Sequence, residues 1–173
     1  MKKKLLVLVV LTLAITFSSF AQKLKYQGEL NVGHSFGVGM LENTFDRFTI
    51  ETVHGVRLND YFFIGIGAGW HHYSDVLDYF SVIPVYANAK GYFKLGKINP
   101  YVSFDIGIGI PVGEDDNGKA GLYISPGIGA GIHVTRWNTL SLLVAYQSQK
   151  FPAYSTAISM DAIAVKLAFL RFN

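Results

Sequence analysis

From Leu24 to Val38 apolar and polar side chains alternate over 15 residues. Leu24, Tyr26, Leu30, Val32, Phe36 and Val38 take even positions. Lys25, Gln27, Glu29, Asn31 and Ser35 take odd ones. Period two is the mark of a strand with one apolar and one polar face. Ordinary globular strands run about 5–6 residues. Strands that cross a membrane in a tilted barrel need about 9–11. The pattern therefore constrains the chain to a membrane-scale β-structure.

Seven further segments follow the same rule: Arg47–Leu58, Tyr61–Tyr73, Phe80–Lys94, Tyr101–Ile110, Gly121–Val134, Leu140–Ser148 and about Ser159–Phe172. The last has Ile163, Val165, Leu167 and Phe169 on one face, against a weakly polar face with Ala162, Ala164 and Ala168. Connections two, four and six are short turns. The other four are longer: Leu41–Asp46, Ser74–Tyr79, the acidic Pro111–Lys119 and Gln149–Thr156. Antiparallel neighbours put alternate connections on opposite rims, the outer-membrane pattern of short periplasmic turns and longer outer loops.

Which face meets lipid follows from glycine. Gly33, Gly37, Gly65, Gly67, Gly69, Gly107, Gly109, Gly127, Gly129 and Gly131 all lie on the polar face. A water-facing strand surface would carry more charge, and glycine weakens a strand there for no gain. Inside a narrow barrel it leaves room for large neighbours, and eight strands enclose just enough space for side chains. The expected fold is all-β: an eight-stranded antiparallel up-and-down transmembrane β-barrel with apolar residues outside.

The N-terminus reads as a secretory signal. Lys2–Lys4 precede an apolar run from Leu5 to Phe17, and Ser19-Phe20-Ala21 presents small residues before Gln22. The expected division is a signal peptide over 1–21 and a barrel domain over 22–173. Without Lys2–Lys4 the 15 basic residues fall to 12, matching 12 acidic ones. No clustered basic face points to nucleic acid. The chain has no Cys. No cofactor and no metal site are expected, since His71 and His72 are strand neighbours and face opposite ways.

The polar face also carries Lys25, Glu29, Arg47, Glu51, Arg57, Lys90, Asp105 and Lys166. Charges in a narrow interior must pair or be hydrated. The expected network sets Glu29 against Arg47, Glu51 and Arg57, and Asp105 against Lys90. Aromatic girdles are expected at both rims. Tyr61, Phe62, Phe63, Phe93, Tyr101 and Trp137 fall on the periplasmic side, and Phe36, Phe48, Trp70, Tyr73, Tyr79 and Phe80 on the outer. His54 falls on the lipid face near mid-depth, an unfavourable place for an imidazole.

Ile83-Pro84-Val85-Tyr86-Ala87-Asn88-Ala89-Lys90-Gly91-Tyr92-Phe93, followed by Asn99-Pro100-Tyr101-Val102-Ser103-Phe104-Asp105-Ile106-Gly107-Ile108-Gly109, resembles the outer membrane beta-barrel domain (PorT-like) family. The resemblance implies a small outer-membrane barrel and carries no catalytic residues across. A terminal aromatic is the usual recognition feature for barrel assembly machinery. Here Phe172 is penultimate, before Asn173.

His72-Tyr73-Ser74-Asp75 is similar to the His-x-Ser-Asn stretch of the outer-membrane lipid A deacylases. His72 and Ser74 are thus the candidate catalytic residues. That family's acid, a Glu about a dozen residues on, has only Asp75 and Asp78 to stand for it. The function expected is that of a closed barrel with a structural or loop-mediated recognition role and no chemistry of its own. Its alternatives are a deacylase-like hydrolase and a narrow pore for small solutes. Partners expected are outer-membrane lipid, the assembly machinery and an extracellular partner on the loops, with Glu114–Asp116 the candidate contact.

Overall fold

The computed structural model describes residues 24–38, 45–74, 80–95, 97–112, 119–152 and 158–172. Eight strands follow one another: β1 Lys25–Gly37, β2 Arg47–Arg57, β3 Phe62–Tyr73, β4 Ser81–Tyr92, β5 Ile98–Val112, β6 Gly121–His133, β7 Asn138–Phe151 and β8 Ile158–Phe172. Each pairs antiparallel with the next, and β8 closes on β1. Closure leaves no unpaired edge.

The register fixes the shape. Lys25 opposes Arg57, and from there the pairing runs through Phe63, Lys90, Ser103, Gly127, Ala145 and Ala164. Ala164 opposes Ser35. The path leaves β1 at residue 25 and returns at residue 35, a shear of ten. Ten residues of ~3.3 Å against eight spacings of ~4.8 Å tilt the strands by roughly 40°.

The short turns close through their own side chains. Asn59 Oδ1 accepts the amides of Tyr61 and Phe62, both at 2.8 Å. Thr135 Oγ1 accepts those of Trp137 and Asn138 at 3.3 and 3.1 Å. Both are side-chain mimics of a backbone turn.

Outward positions are apolar and exposed all round, from Leu30, Ile50 and Ile66 to Ile106, Leu142 and Leu167. Inward positions are buried and mostly polar or small, with large fillers such as Phe63, Tyr123, Leu143 and Leu170 among them. That inversion of a soluble barrel places the protein across a membrane. On β8, Ile163, Val165, Leu167 and Phe169 face out, while Ala162, Ala164, Lys166 and Ala168 face in.

Glycine makes the interior possible. A Cβ at Gly129 would lie 2.4 Å from the Tyr101 ring, and one at Gly67 would lie 2.5 Å from the Tyr86 ring. The tyrosines cross the lumen by lying flat over these bare stretches of strand.

Several expectations are corrected. Strand β5 begins at Ile98, so Asn99 and Pro100 lie within it. Strand β7 runs to Phe151 rather than stopping at Ser148. Phe63, Tyr73 and Tyr101 are not girdle residues: each is 1–2% exposed and fills the lumen. Parity decides this, since each sits on the inward face of its strand. Tyr61, Phe62, Phe93 and Trp137 are exposed near the periplasmic rim, and Phe36, Phe48 and Trp70 near the outer. Tyr79, the acidic stretch Glu114–Asp116 and residues 1–23 lie outside the described residues.

His54 does face outward, and its position is explained by satisfied hydrogen bonds. Thr52 Oγ1 lies 3.1 Å from the Glu29 carbonyl and 2.9 Å from His54 Nε2. The hydroxyl has one proton, which it gives to the carbonyl. His54 Nε2–H then donates to Thr52, and Nδ1 accepts from the Tyr26 hydroxyl. With both ring nitrogens hydrogen-bonded, much of the cost of placing the imidazole in lipid is removed. Gly28 is the cross-strand partner of His54 and leaves the space in which Tyr26 meets it.

Candidate functional site

Two features carry the chemistry of this molecule: the charged lumen and a polar group at the outer rim. In the lumen, Glu51 is the hub of the outer half. Lys166 Nζ lies 2.6 and 2.7 Å from its two oxygens. His71 Nε2 donates at 2.7 Å, the Tyr86 hydroxyl at 3.1 Å and Gln147 Nε2 at 3.4 Å. Glu51, Lys166 and His71 are each at most 2% exposed.

Above Glu51 sits Arg47, fully buried yet facing no carboxylate among the described residues. Its guanidinium donates instead to neutral acceptors: Gln147 Oε1 at 2.9 Å, Gln149 Oε1 at 3.3 Å and the Tyr73 hydroxyl at 2.7 Å. Tyr73 in turn donates to Gln149, and Ser35 donates to Gln147 at 2.9 Å. Five donors on a rigid fork suit such an amide-lined seat.

The periplasmic half is built on Glu29, which accepts from Lys90 and Gln27. Lys90 also lies over the Tyr101 ring at 5.3 Å. Asp105 accepts from Asn88, which donates to Ser103 as well at 3.2 Å. Arg57 stacks on Tyr92, 4.2 Å from the ring centre. Below them a cavity of about 40 Å³ opens at the periplasmic mouth, lined in part by Arg57, Tyr92, His133 and Thr139.

The network expected from the sequence is therefore rearranged. Lys25 is exposed and leaves it. Glu29 meets Lys90 of β4, a partner not expected for it. Glu51 meets Lys166 of β8. Asp105 meets Asn88 before Lys90. The physical reason is that long lumen side chains reach past the neighbouring strand, so charges on adjacent strands need not be the nearest ones, while Asp105 is met first by Asn88, its own register partner on β4. Gln147 and Gln149 join the network without having been expected there. Gln149 falls in an expected loop, and only the continued inward parity of Ala145, Gln147 and Gln149 would draw it in.

At the outer rim His72 is outward, stacked on Trp70 with ring centres 5.2 Å apart. Its Nδ1 lies 3.2 Å from the hydroxyl of Ser81 on β4, its cross-strand partner. Ser74 is exposed, and its amide donates to the Asp46 carbonyl at 3.1 Å. The structure thus gives His72 a different serine from the one two residues along. Asp75 and Asp78 lie outside the described residues.

No family model and no curated protein matches the chain. Solved structures do. Neisserial surface protein A (NspA) superposes at a TM-score of 0.63 with 15% identity, covering 86% of this chain and 96% of that one. This chain has the fold of the small outer-membrane barrels. The outer membrane protein OprG from Pseudomonas aeruginosa matches at 0.54 with 9% identity over 87% of this chain and 95% of its own. The outer membrane enzyme PagL matches at 0.51 with 11% identity over 84% and 98%. Apolar belt, packed polar lumen and this fold together locate the protein in a bacterial outer membrane.

Proposed function

We propose that the protein is a closed outer-membrane barrel with a structural role or one of recognition through its outer loops, and that it does no chemistry of its own. The observation that supports this is the filled lumen. Arg47, Glu51, Lys166, Lys90 and Glu29 are buried, bonded side chains spread along the interior, with tyrosine rings laid between them. Each would have to leave its partners to open a path, and breaking a buried pair costs several kcal/mol. The PorT-like resemblance of Ile83–Phe93 and Asn99–Gly109 fits this reading. The test is conductance. In planar bilayers the folded barrel should give no large, steady current. Reproducible nanosiemens steps would show an open lumen and sink the proposal.

A second reading, a lipid A acyl hydrolase, is favoured by one contact. The His72–Ser81 hydrogen bond faces outward at the outer rim, where acyl ester bonds of an outer-leaflet lipid would lie. A serine nucleophile needs such a base, and the base needs an orienting acid. Cells expressing the wild type, His72→Ala, Ser74→Ala and Ser81→Ala should show the same lipid A acylation. Loss of an acyl chain with wild type alone would establish the hydrolase.

A further inference from the structure

Three grooves of similar size run along the outside of the barrel. One, of about 410 Å³, is bounded by Phe93, Val102, Ile128, Leu142 and Val144. A second, of about 390 Å³, is bounded by Phe62, Ile64, Ala89 and Phe104. Their outward walls are apolar and match acyl chains alone. The third, also about 390 Å³, lies over β6, β7 and β8 at their outer ends and is different in kind.

Its walls form an ordered grid. Leu122 and Ile124 of β6 oppose Lys150 and Ser148 of β7, which oppose Ser159 and Asp161 of β8. Toward mid-membrane the groove continues as Pro126 and Tyr146. Pro126 has no amide hydrogen, and the β6–β7 pairing is interrupted at Ser125 and Pro126. The groove is therefore graded: apolar at its deep end, polar where β7 and β8 reach the outer rim. Lys150 and Ser159 each lie one residue from the outer end of their strand.

The polar end is built rather than incidental. The Asp161 carboxylate accepts from the Ser159 hydroxyl at 3.0 Å, with Ser148 opposite it on β7 and Tyr146 in the same groove. Lys150 is near enough for its charge to act on Asp161 but closes no ion pair with it or with any other described residue. An ammonium so placed at headgroup depth suits a phosphate. A carboxylate held beside it suits hydroxyl donors.

We infer that this groove binds the phosphate-bearing end of an outer-leaflet glycolipid. Lys150 takes the phosphate, Asp161 accepts from a sugar hydroxyl, and an acyl chain lies along Ile124 and Pro126. A headgroup with both phosphate and sugar hydroxyls complements this pair of charges, and the amphiphile's own gradient matches that of the groove.

The full chain, purified in mild detergent, is titrated with bisphosphorylated lipid A, with dephosphorylated lipid A and with phosphatidylglycerol, and bound lipid is counted by native mass spectrometry. Wild type should hold one bisphosphorylated lipid A, about tenfold more tightly than either other lipid, the scale of one charge-assisted contact. Lys150→Glu should lose that preference. So should Lys150→Gln, which serves in its place if the charge reversal unfolds the barrel. Lys94→Glu, at the opposite rim, should bind as wild type does. Heat-dependent migration on a gel reports that each variant is folded. Equal binding of the three lipids by wild type would overturn the inference. So would unchanged binding by a folded Lys150 variant, or an equal loss in Lys94→Glu.

Discussion

Lys166 reaches Glu51 across an intervening strand. Lys166 is on β8 and Glu51 on β2, with β1 between them, yet the ammonium sits 2.6 and 2.7 Å from the two carboxylate oxygens. The crossing point is Gly33, which opposes Lys166 in register. A Cβ there would lie 2.8 Å from Lys166 Cγ and 2.4 Å from the Val165 carbonyl oxygen. One residue without a side chain lets the long aliphatic stem of Lys166 lie flat and bridge three strands.

Removing one partner of this pair should therefore be costly. Lys166→Met leaves Glu51 buried without its cation, and such breaks cost about 3–5 kcal/mol. The double variant Glu51→Gln, Lys166→Met removes both charges and should recover a large part of that loss. Urea unfolding of the barrel in vesicles measures both. A single variant as stable as wild type would show the pair to be solvated rather than sealed.

The glycines should separate by the space around them. At Gly107 an added Cβ would lie 2.1 Å from the Val85 carbonyl oxygen and 2.5 Å from Tyr86 Cα, both backbone atoms with nowhere to go. Gly107→Ala should destabilise the barrel by at least about 1–3 kcal/mol, the usual cost of overpacking. Gly91→Ala meets only Val102 Cγ2, at an ordinary 3.4 Å, and should be neutral or slightly stabilising, since alanine loses less backbone entropy. The same unfolding assay compares them, and equal effects would mean that the interior is looser than these close approaches imply.

Lysine bridge and glycine face also differ in how far the sequence alone reveals them. The strands are legible because period-two alternation is a local property, and Leu24–Val38 displays it over its whole length. Even the choice of lipid-facing side is legible, because Gly67, Gly107 and Gly129 make sense only beneath large neighbours. The partners within the lumen are not. That Glu29 meets Lys90, and Glu51 meets Lys166, depends on the shear of ten and on side chains reaching over glycine. Neither is written in the order of the chain. Gln149 and Phe151 escape for another reason: polar and aromatic residues near a strand end look the same as a loop until the partner strand is known. At the rim, Ser74 lies beside His72 in sequence, but strand pairing brings Ser81 to it instead.

The periplasmic turn offers a pH test outside the membrane. Lys94 Nζ lies 2.6 Å from Asp60 Oδ2, with both side chains more than half exposed. The hydrogen bond and charge of Lys94 hold the Asp60 carboxyl below its ordinary value. A carboxyl whose pKa is lower folded than unfolded stabilises the fold above the unfolded value, near ~3.9. That contribution is lost as pH falls through the folded value. Lys94→Met should therefore cost less than about 1 kcal/mol at pH 7, as exposed pairs do. The difference from wild type should vanish in strong acid and shrink in high salt. A difference that grew on acidification would contradict this sign.

The placement of the faces is open to direct test at Leu30 and Asn31, neighbours on β1. Leu30 is 49% exposed and points outward, while Asn31 is 3% exposed and points into the lumen. The chain has no cysteine, so single cysteine probes report one site each. A spin label at Leu30→Cys should be broadened by lipid-soluble oxygen, and one at Asn31→Cys should not. Charge should discriminate in the same way. Leu30→Arg places a cation among acyl chains and should cost roughly 2–4 kcal/mol near the midplane. Asn31→Arg points toward a lumen in which Asn31 opposes Glu51 in register, and its guanidinium can share that carboxylate. Its cost should come from crowding rather than from lipid, and so should depend little on bilayer thickness. The cost of Leu30→Arg should instead fall in thinner bilayers, as the side chain reaches the interface. Oxygen broadening at residue 31 with none at residue 30 would invert the barrel and overturn the membrane assignment.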